Sequence, residues 1–217
     1  MIYTSSYNNF SSSIIKPVSI SGDKGKSAKF DGETYLALAP KKEFWDIWHK
    51  AIGKVPEEMN NKYYIEEYFN QVLKNLDPLK VYRDLDYTTL LCYEESNHFC
   101  HRHIISAWFE LFLGFQVKEI KVKGSIEEVD VPLYKFIKKN LYEAIKKNMD
   151  TKGFNNLRAL YIFNKSEDAL EYAQMLEAKG DKKADDAWEN AVSLYFEAMR
   201  LEKTFNDNKD IKKLVLK

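Results

Sequence analysis

Apolar residues recur along this chain in two rhythms, one of them close to two and the other close to three and four. The first rhythm predicts strands: a short one at Met1-Ile2-Tyr3-Thr4, a second at Pro17-Val18-Ser19-Ile20-Ser21, a buried third through Thr89, Leu90, Leu91, Cys92 and Tyr93, and a fourth carrying Phe115, Val117, Ile120 and Val122. The second rhythm predicts helices. One carries Phe44, Ile47, Trp48 and Ala51 and stops at Gly53; the next carries Tyr64, Ile65, Tyr68, Phe69, Val72 and Leu73. Leu79 to Tyr87 reads as a short helical turn, and Ile104, Ile105, Trp108, Phe109 and Phe112 share a stripe ended by Gly114. Beyond Gly124 the pattern shows no further strand. It predicts a helix from Val131 to Met149 and a helical hairpin, Ser166 to Lys179 and Asp181 to Phe205, hinged at Gly180 with Ser166 as its N-cap. The Leu157 to Phe163 run before it reads as a helix start or, failing that, an edge strand.

The order β, β, two helices, β, helix, β implies an α/β fold: a three-layer domain around a small, mostly parallel sheet, covered on both faces. We place this domain at 1–123 and an α-helical C-terminal extension at 124–217. The extension suits packing on the sheet or homodimer formation.

Lys plus Arg (33) balances Asp plus Glu (33), so no global field draws the chain to an extended duplex of nucleic acid. Two cysteines are no disulfide framework, no leader pattern opens the chain, and no apolar run is long enough to span a bilayer. A cytoplasmic protein with free thiols and no membrane contact is the expectation. Nothing in the sequence names a cofactor.

The chemistry is concentrated between Thr88 and Phe112, which hold both cysteines and three of the four histidines. A strand ends in Cys92-Tyr93-Glu94, and after a polar turn a helix starts at Cys100-His101-Arg102-His103. The carboxyl edge of a strand is where open α/β sheets bind ligands. Cys100 at a helix N-terminus suits a thiolate, with Glu94 or His101 to move protons. Arg102 suits an anion clamp. Ser5, Tyr7, Ser21, Lys24, Lys26 and Tyr35, on or near the loops after the first two strands, and Cys92 are the other candidate ligand contacts. A small anionic, nucleotide-like ligand is the expectation, with a non-catalytic nucleotide-binding module and a Cys/His metal protein as alternatives. Gly25-Lys26-Ser27 is no phosphate-binding P-loop, because only two residues separate Gly22 from Gly25 where four are needed. Metal binding is discounted on spacing, since Cys92 and Cys100 form no Cys-x-x-Cys pair and His101 and His103 do not share a helix face.

Those same blocks carry a resemblance. Ile2-Tyr3-Thr4-Ser5, Val18-Ser19-Ile20-Ser21 with its glycine loop, Tyr35 with Leu38-Ala39-Pro40, Leu91-Cys92-Tyr93-Glu94 and Cys100-His101-Arg102 resemble the family called domain of unknown function 488. The resemblance covers about the first 120 residues. It implies a compact three-layer α/β domain with the Cys-x-Glu and Cys-His-Arg blocks lying together. The family's commoner form has an arginine in the loop after the second strand, where this chain has Lys24 and Lys26.

Overall fold

The computed structural model describes residues 1–11, 15–148 and 157–215. Ser12 and Ser13 of the first loop, and Met149 at the expected end of one helix, lie outside the described residues.

Among the described residues seven strands form one sheet: β1 (Tyr3–Ser6), β2 (Phe10–Ser11), β3 (Lys16–Ser19), β4 (Glu33–Thr34), β5 (Thr88–Cys92), β6 (Lys118–Lys123) and β7 (Ser125–Glu128). Their order is β2-β6-β1-β5-β3-β4, with β7 on β6. All pairs are parallel except β6 with β7. The two strands with the most complete burial, β1 and β5, sit side by side, Ser6 opposite Cys92. All five residues of β5 are buried, as a parallel strand covered on both faces must be.

The helices are α1 (Lys42–Ala51), α2 (Glu57–Gln71), α3 (Pro78–Asp84), α4 (His101–Leu113), α5 (Tyr134–Asn148), α6 (Leu157–Ala178) and α7 (Ala184–Val215). Helix α4 organises the first unit. Its whole first turn is buried, and it packs against β1, β5, α2 and α5. Trp108, Phe109, Ile104 and Ile105 are each no more than 1% exposed, so burial on nearly every side follows from a helix that is apolar nearly all round. Gly114 ends it at φ +81°, a left-handed turn that leaves its amide free to close on the Glu110 carbonyl.

Three expectations are corrected. The first compact unit is Met1–Asn148, not 1–123, because α5 buries Ile137, Leu141 and Ile145 and packs against α2 and α4. A strand does follow Gly124: β7 pairs with β6 through a tight turn, and since all four of its residues are exposed it carries no apolar alternation. Ser166 is no N-cap. It lies buried inside α6, which starts at Leu157, and its hydroxyl donates to the Phe163 carbonyl at 2.6 Å. Helices α6 and α7, a hairpin across Gly180, lie in the second unit, Met149–Lys217. No helix among the described residues is long and apolar enough to cross a membrane.

Candidate functional site

The carboxyl ends of β3 and β5 and the start of α4 meet at one place. Strand β5 ends with Cys92, and two residues on, Glu94 turns back over it. Cys100 is the N-cap residue of α4, in extended conformation at φ −150°, so its side chain faces back toward the strand end. His101 opens the helix. Its Nε2 lies 3.1 Å from the Ile20 carbonyl, and a carbonyl only accepts, so Nε2 carries the proton. Nδ1 is directed at the two sulfurs, 3.7 Å from Cys92 Sγ and 3.9 Å from Cys100 Sγ. Glu94 Oε2 sits 3.0 Å from Cys100 Sγ and 3.4 Å from Cys92 Sγ. Cys92, Cys100 and His101 are all buried, and their donor atoms lie within 4.8 Å of one another, an arrangement compatible with a metal site.

These groups set each other's protons. Burial raises the Glu94 carboxyl, and the neighbouring Cys100 charge raises it further, to about 7. Burial would push the Cys100 thiol up as well, but a hydrogen bond from Cys92, the Arg102 guanidinium and His101 outweigh it and hold the thiol well below its ordinary value. Burial, then the hydrogen bond and charge of Cys100 and the charge of Glu94, drive Cys92 well above its own value, against a smaller lowering by Arg102. Cys100 and Glu94 thus share a proton, with the negative charge on sulfur or on oxygen.

A cavity of about 550 Å³ opens over this cluster. Cys92, Glu94, Cys100 and His101 line it together with Trp45, Trp48, Tyr64, Tyr93 and Phe99; Pro40, Lys42 and the loop residues Ser21, Gly22, Asp23 and Ser27 complete the lining. The aromatic side is a cluster: Trp48 packs on Tyr64 and Phe99 with ring centroids 5.2 and 5.8 Å apart, and Trp45 stacks on His49. The loop is drawn together by Asp23, which accepts from the amides of Gly25 and Ser27 and from the hydroxyls of Ser21, Ser27 and Tyr93. Burial opposes ionisation of Asp23, yet these bonds win and hold its carboxyl well below the usual range. Gly25 is required there: at φ +77°, any Cβ would come within 2.8 Å of the Tyr7 hydroxyl and Phe30.

Glu94, Cys100, His101, Cys92 and Ser21 therefore come together on the cavity. The other expected contacts do not. Arg102 is fully buried and pairs with Glu119 of β6 through Nε and Nη2, at 3.0 to 3.2 Å, so the expected anion clamp is spent inside the protein. Lys24 and Lys26 are exposed and off the cavity lining. Ser5 donates to the Ile120 carbonyl, Tyr7 bonds the Ser19 and Ser21 hydroxyls behind the loop, and Tyr35 donates to Asp84. Sequence reasoning missed Asp23, Tyr93, Phe99 and the role of Trp45 and Trp48. The available signal was Trp45 itself, an indole just outside the core stripe of α1.

Comparison of the chain with protein-family models, with curated proteins and with solved structures returns no match.

Proposed function

We propose that the cavity is the active site of an enzyme acting on a small, ring-bearing, nucleoside-like molecule, with Glu94 as the group that carries protons to and from it. The observation behind this reading is the cavity's two-sided lining. Titratable groups converge on one part of it and aromatic rings occupy the other. Small-ligand sites have that composition, mostly apolar with a few convergent polar groups. A ring held beside Trp45, Trp48 and Phe99 brings its substituents toward Glu94, and a carboxyl shared with a thiol can give or take a proton near neutral pH. Without Arg102, Lys24 or Lys26, Lys42 is the one lysine on the lining, so the ring contributes more to recognition than a phosphate does. The resemblance to domain of unknown function 488, with its two blocks lying together, supports the same location.

The test uses the two indoles as reporters. Nucleobases, nucleosides and nucleotides titrated into the protein should quench tryptophan fluorescence and raise the melting temperature. Trp45→Ala should weaken that binding by about tenfold or more, since stacking a base on an aromatic ring contributes ~1–3 kcal/mol. Glu94→Gln should bind as the wild type does and turn nothing over. A panel in which no ring compound binds would sink the reading.

A second reading is favoured by the depressed Cys100 thiol: a thiolate nucleophile that attacks the substrate directly, with Glu94 protonating the leaving group. It requires Cys100 Sγ to be free and to react with iodoacetamide faster than free cysteine does near pH 7.

A further inference from the structure

We propose that Cys92, Cys100 and His101 are the protein ligands of a zinc ion, held at the cavity lining with a coordination position open to the cavity. The inference deepens the proposed active site and rests on that reading only for what the ion would do there.

Zinc bonds sulfur at about 2.3 Å and imidazole nitrogen at about 2.0–2.1 Å, so ligands at tetrahedral angles stand about 3.5–3.9 Å apart. The two sulfur-to-Nδ1 distances are 3.7 and 3.9 Å, and the three donor atoms lie within 4.8 Å of each other. The imidazole is already oriented. Its Nε2–H is held by the Ile20 carbonyl, the outer contact that metal-ligating histidines use to present the other nitrogen. The two sulfurs and Nδ1 face one another, and each is a good zinc ligand once the thiols and Nδ1 carry no proton. Spacing along the chain hid this. Cys92 ends a strand and Cys100 caps a helix, and the loop between them folds the two together.

Ligand chemistry selects the ion. Two sulfurs and one imidazole suit zinc and disfavour magnesium or calcium, which take oxygen. Three protein ligands with a position left over are the pattern of catalytic rather than structural zinc. Glu94, on the sulfur side at 3.0 and 3.4 Å, stands next to the ion and can take the proton of a water bound there. The nucleophile is then water, and Cys100 is a ligand, which excludes the covalent thiol route.

Protein purified without a histidine tag, under reducing conditions, should contain close to one zinc per chain by elemental analysis. Cys92→Ser, Cys100→Ser and His101→Ala should each lower it at least tenfold, while Glu94→Gln retains it. Cobalt replacing zinc should give the charge-transfer and ligand-field bands of a tetrahedral cobalt thiolate, a readout on wild-type protein that needs no variant to fold. Wild-type protein that holds no metal and takes none up from added zinc, or whose cysteines form a disulfide or are alkylated in the native state as fast as free cysteine, overturns the proposal. Quenching of tryptophan by nucleosides, measured with and without chelator, separates the two readings. Ring binding without metal sinks only the zinc, and metal without ring binding sinks only the ligand class.

Discussion

Two buried polar clusters grow from neighbouring residues of one helix turn, and they behave in opposite ways. His101 reaches toward β5 and the cavity, where it meets Cys92, Cys100 and Glu94. Arg102, the next residue, reaches toward β6 and meets Glu119, with His103 Nε2 at 3.5 Å on the same carboxylate. The Arg102 cluster is closed by opposite charges. The His101 cluster brings together groups that compete for protons. The two glutamates report the difference: burial raises Glu94 to about 7, while at Glu119 burial is outweighed by His103 and Arg102 and the carboxyl is held low. Desolvation acts on both, and the sign is decided by whether a permanent cation stands alongside. A fold that needed only stability would make every buried carboxylate like Glu119.

The largest effect should come from breaking the closed cluster. Glu119→Gln leaves the Arg102 guanidinium buried without a counter-charge and should cost ~3–5 kcal/mol in chemical denaturation. Replacing both partners, Arg102→Met with Glu119→Leu, should cost less than Glu119→Gln alone, because no charge is stranded. If the double variant is the worse of the two, the pair contributes something beyond mutual neutralisation. The pH dependence has a definite sign. A carboxyl held below its unfolded value of about 4.3 contributes stability above that pH and loses it as pH falls through the folded value. The wild type should therefore weaken on acidification below about pH 4, and Glu119→Gln should show a flatter acid limb.

Next in size is the open cluster, with the slope reversed. In protein stripped of metal, Glu94 binds its proton more tightly folded than unfolded. The raised Glu94 carboxyl by itself makes stability fall as pH rises from about 4.3 to about 7, by roughly 3–4 kcal/mol; the Cys100 thiol, held low, opposes that slope, and Glu94→Gln should remove the falling component. The same variant should lose activity. A carboxyl whose burial costs stability near neutral pH and whose loss stops the chemistry is kept for the chemistry. Equal slopes for the wild type and Glu94→Gln would erase the contrast between the two glutamates.

Half of this comparison was legible in the sequence. Glu94, Cys100 and His101 announce themselves because their residue types are reactive and their places, a strand end and a helix start, follow from the apolar runs on either side. The meeting of Cys92 with Cys100 and His101 was not legible. Spacing measures distance along the chain, and the Glu94 to Phe99 loop cancels it. Nor was the fate of Arg102. Glu119 sits between polar and apolar residues of β6 as though it faced solvent, but a parallel sheet covered on both faces buries it. Strands β3, β5 and β6 and helix α4 could be read because burial leaves an apolar pattern, and the exposed β7 leaves none. Ser166 misled because a serine ahead of two acidic residues has the composition of a cap, whereas here it lies inside a helix that begins at Leu157.

The smallest effects belong to the loop that looked most like an anion site. Lys24 and Lys26 are exposed, and the loop that bears them is held by Asp23 and by Gly25, so replacing both lysines with alanine should change stability by no more than about 0.5 kcal/mol. Replacing Asp23 would be different, since five donors lose their acceptor at once. The lysine pair also separates two kinds of recognition. If a phosphate anchors the ligand, Lys24→Ala with Lys26→Ala should weaken nucleotides relative to the corresponding nucleosides, and added salt should do the same. If the ring anchors it, the pair should bind both equally and without salt dependence, while Trp45→Ala weakens both together. The cavity lining, five aromatic rings against one lysine, favours the second outcome.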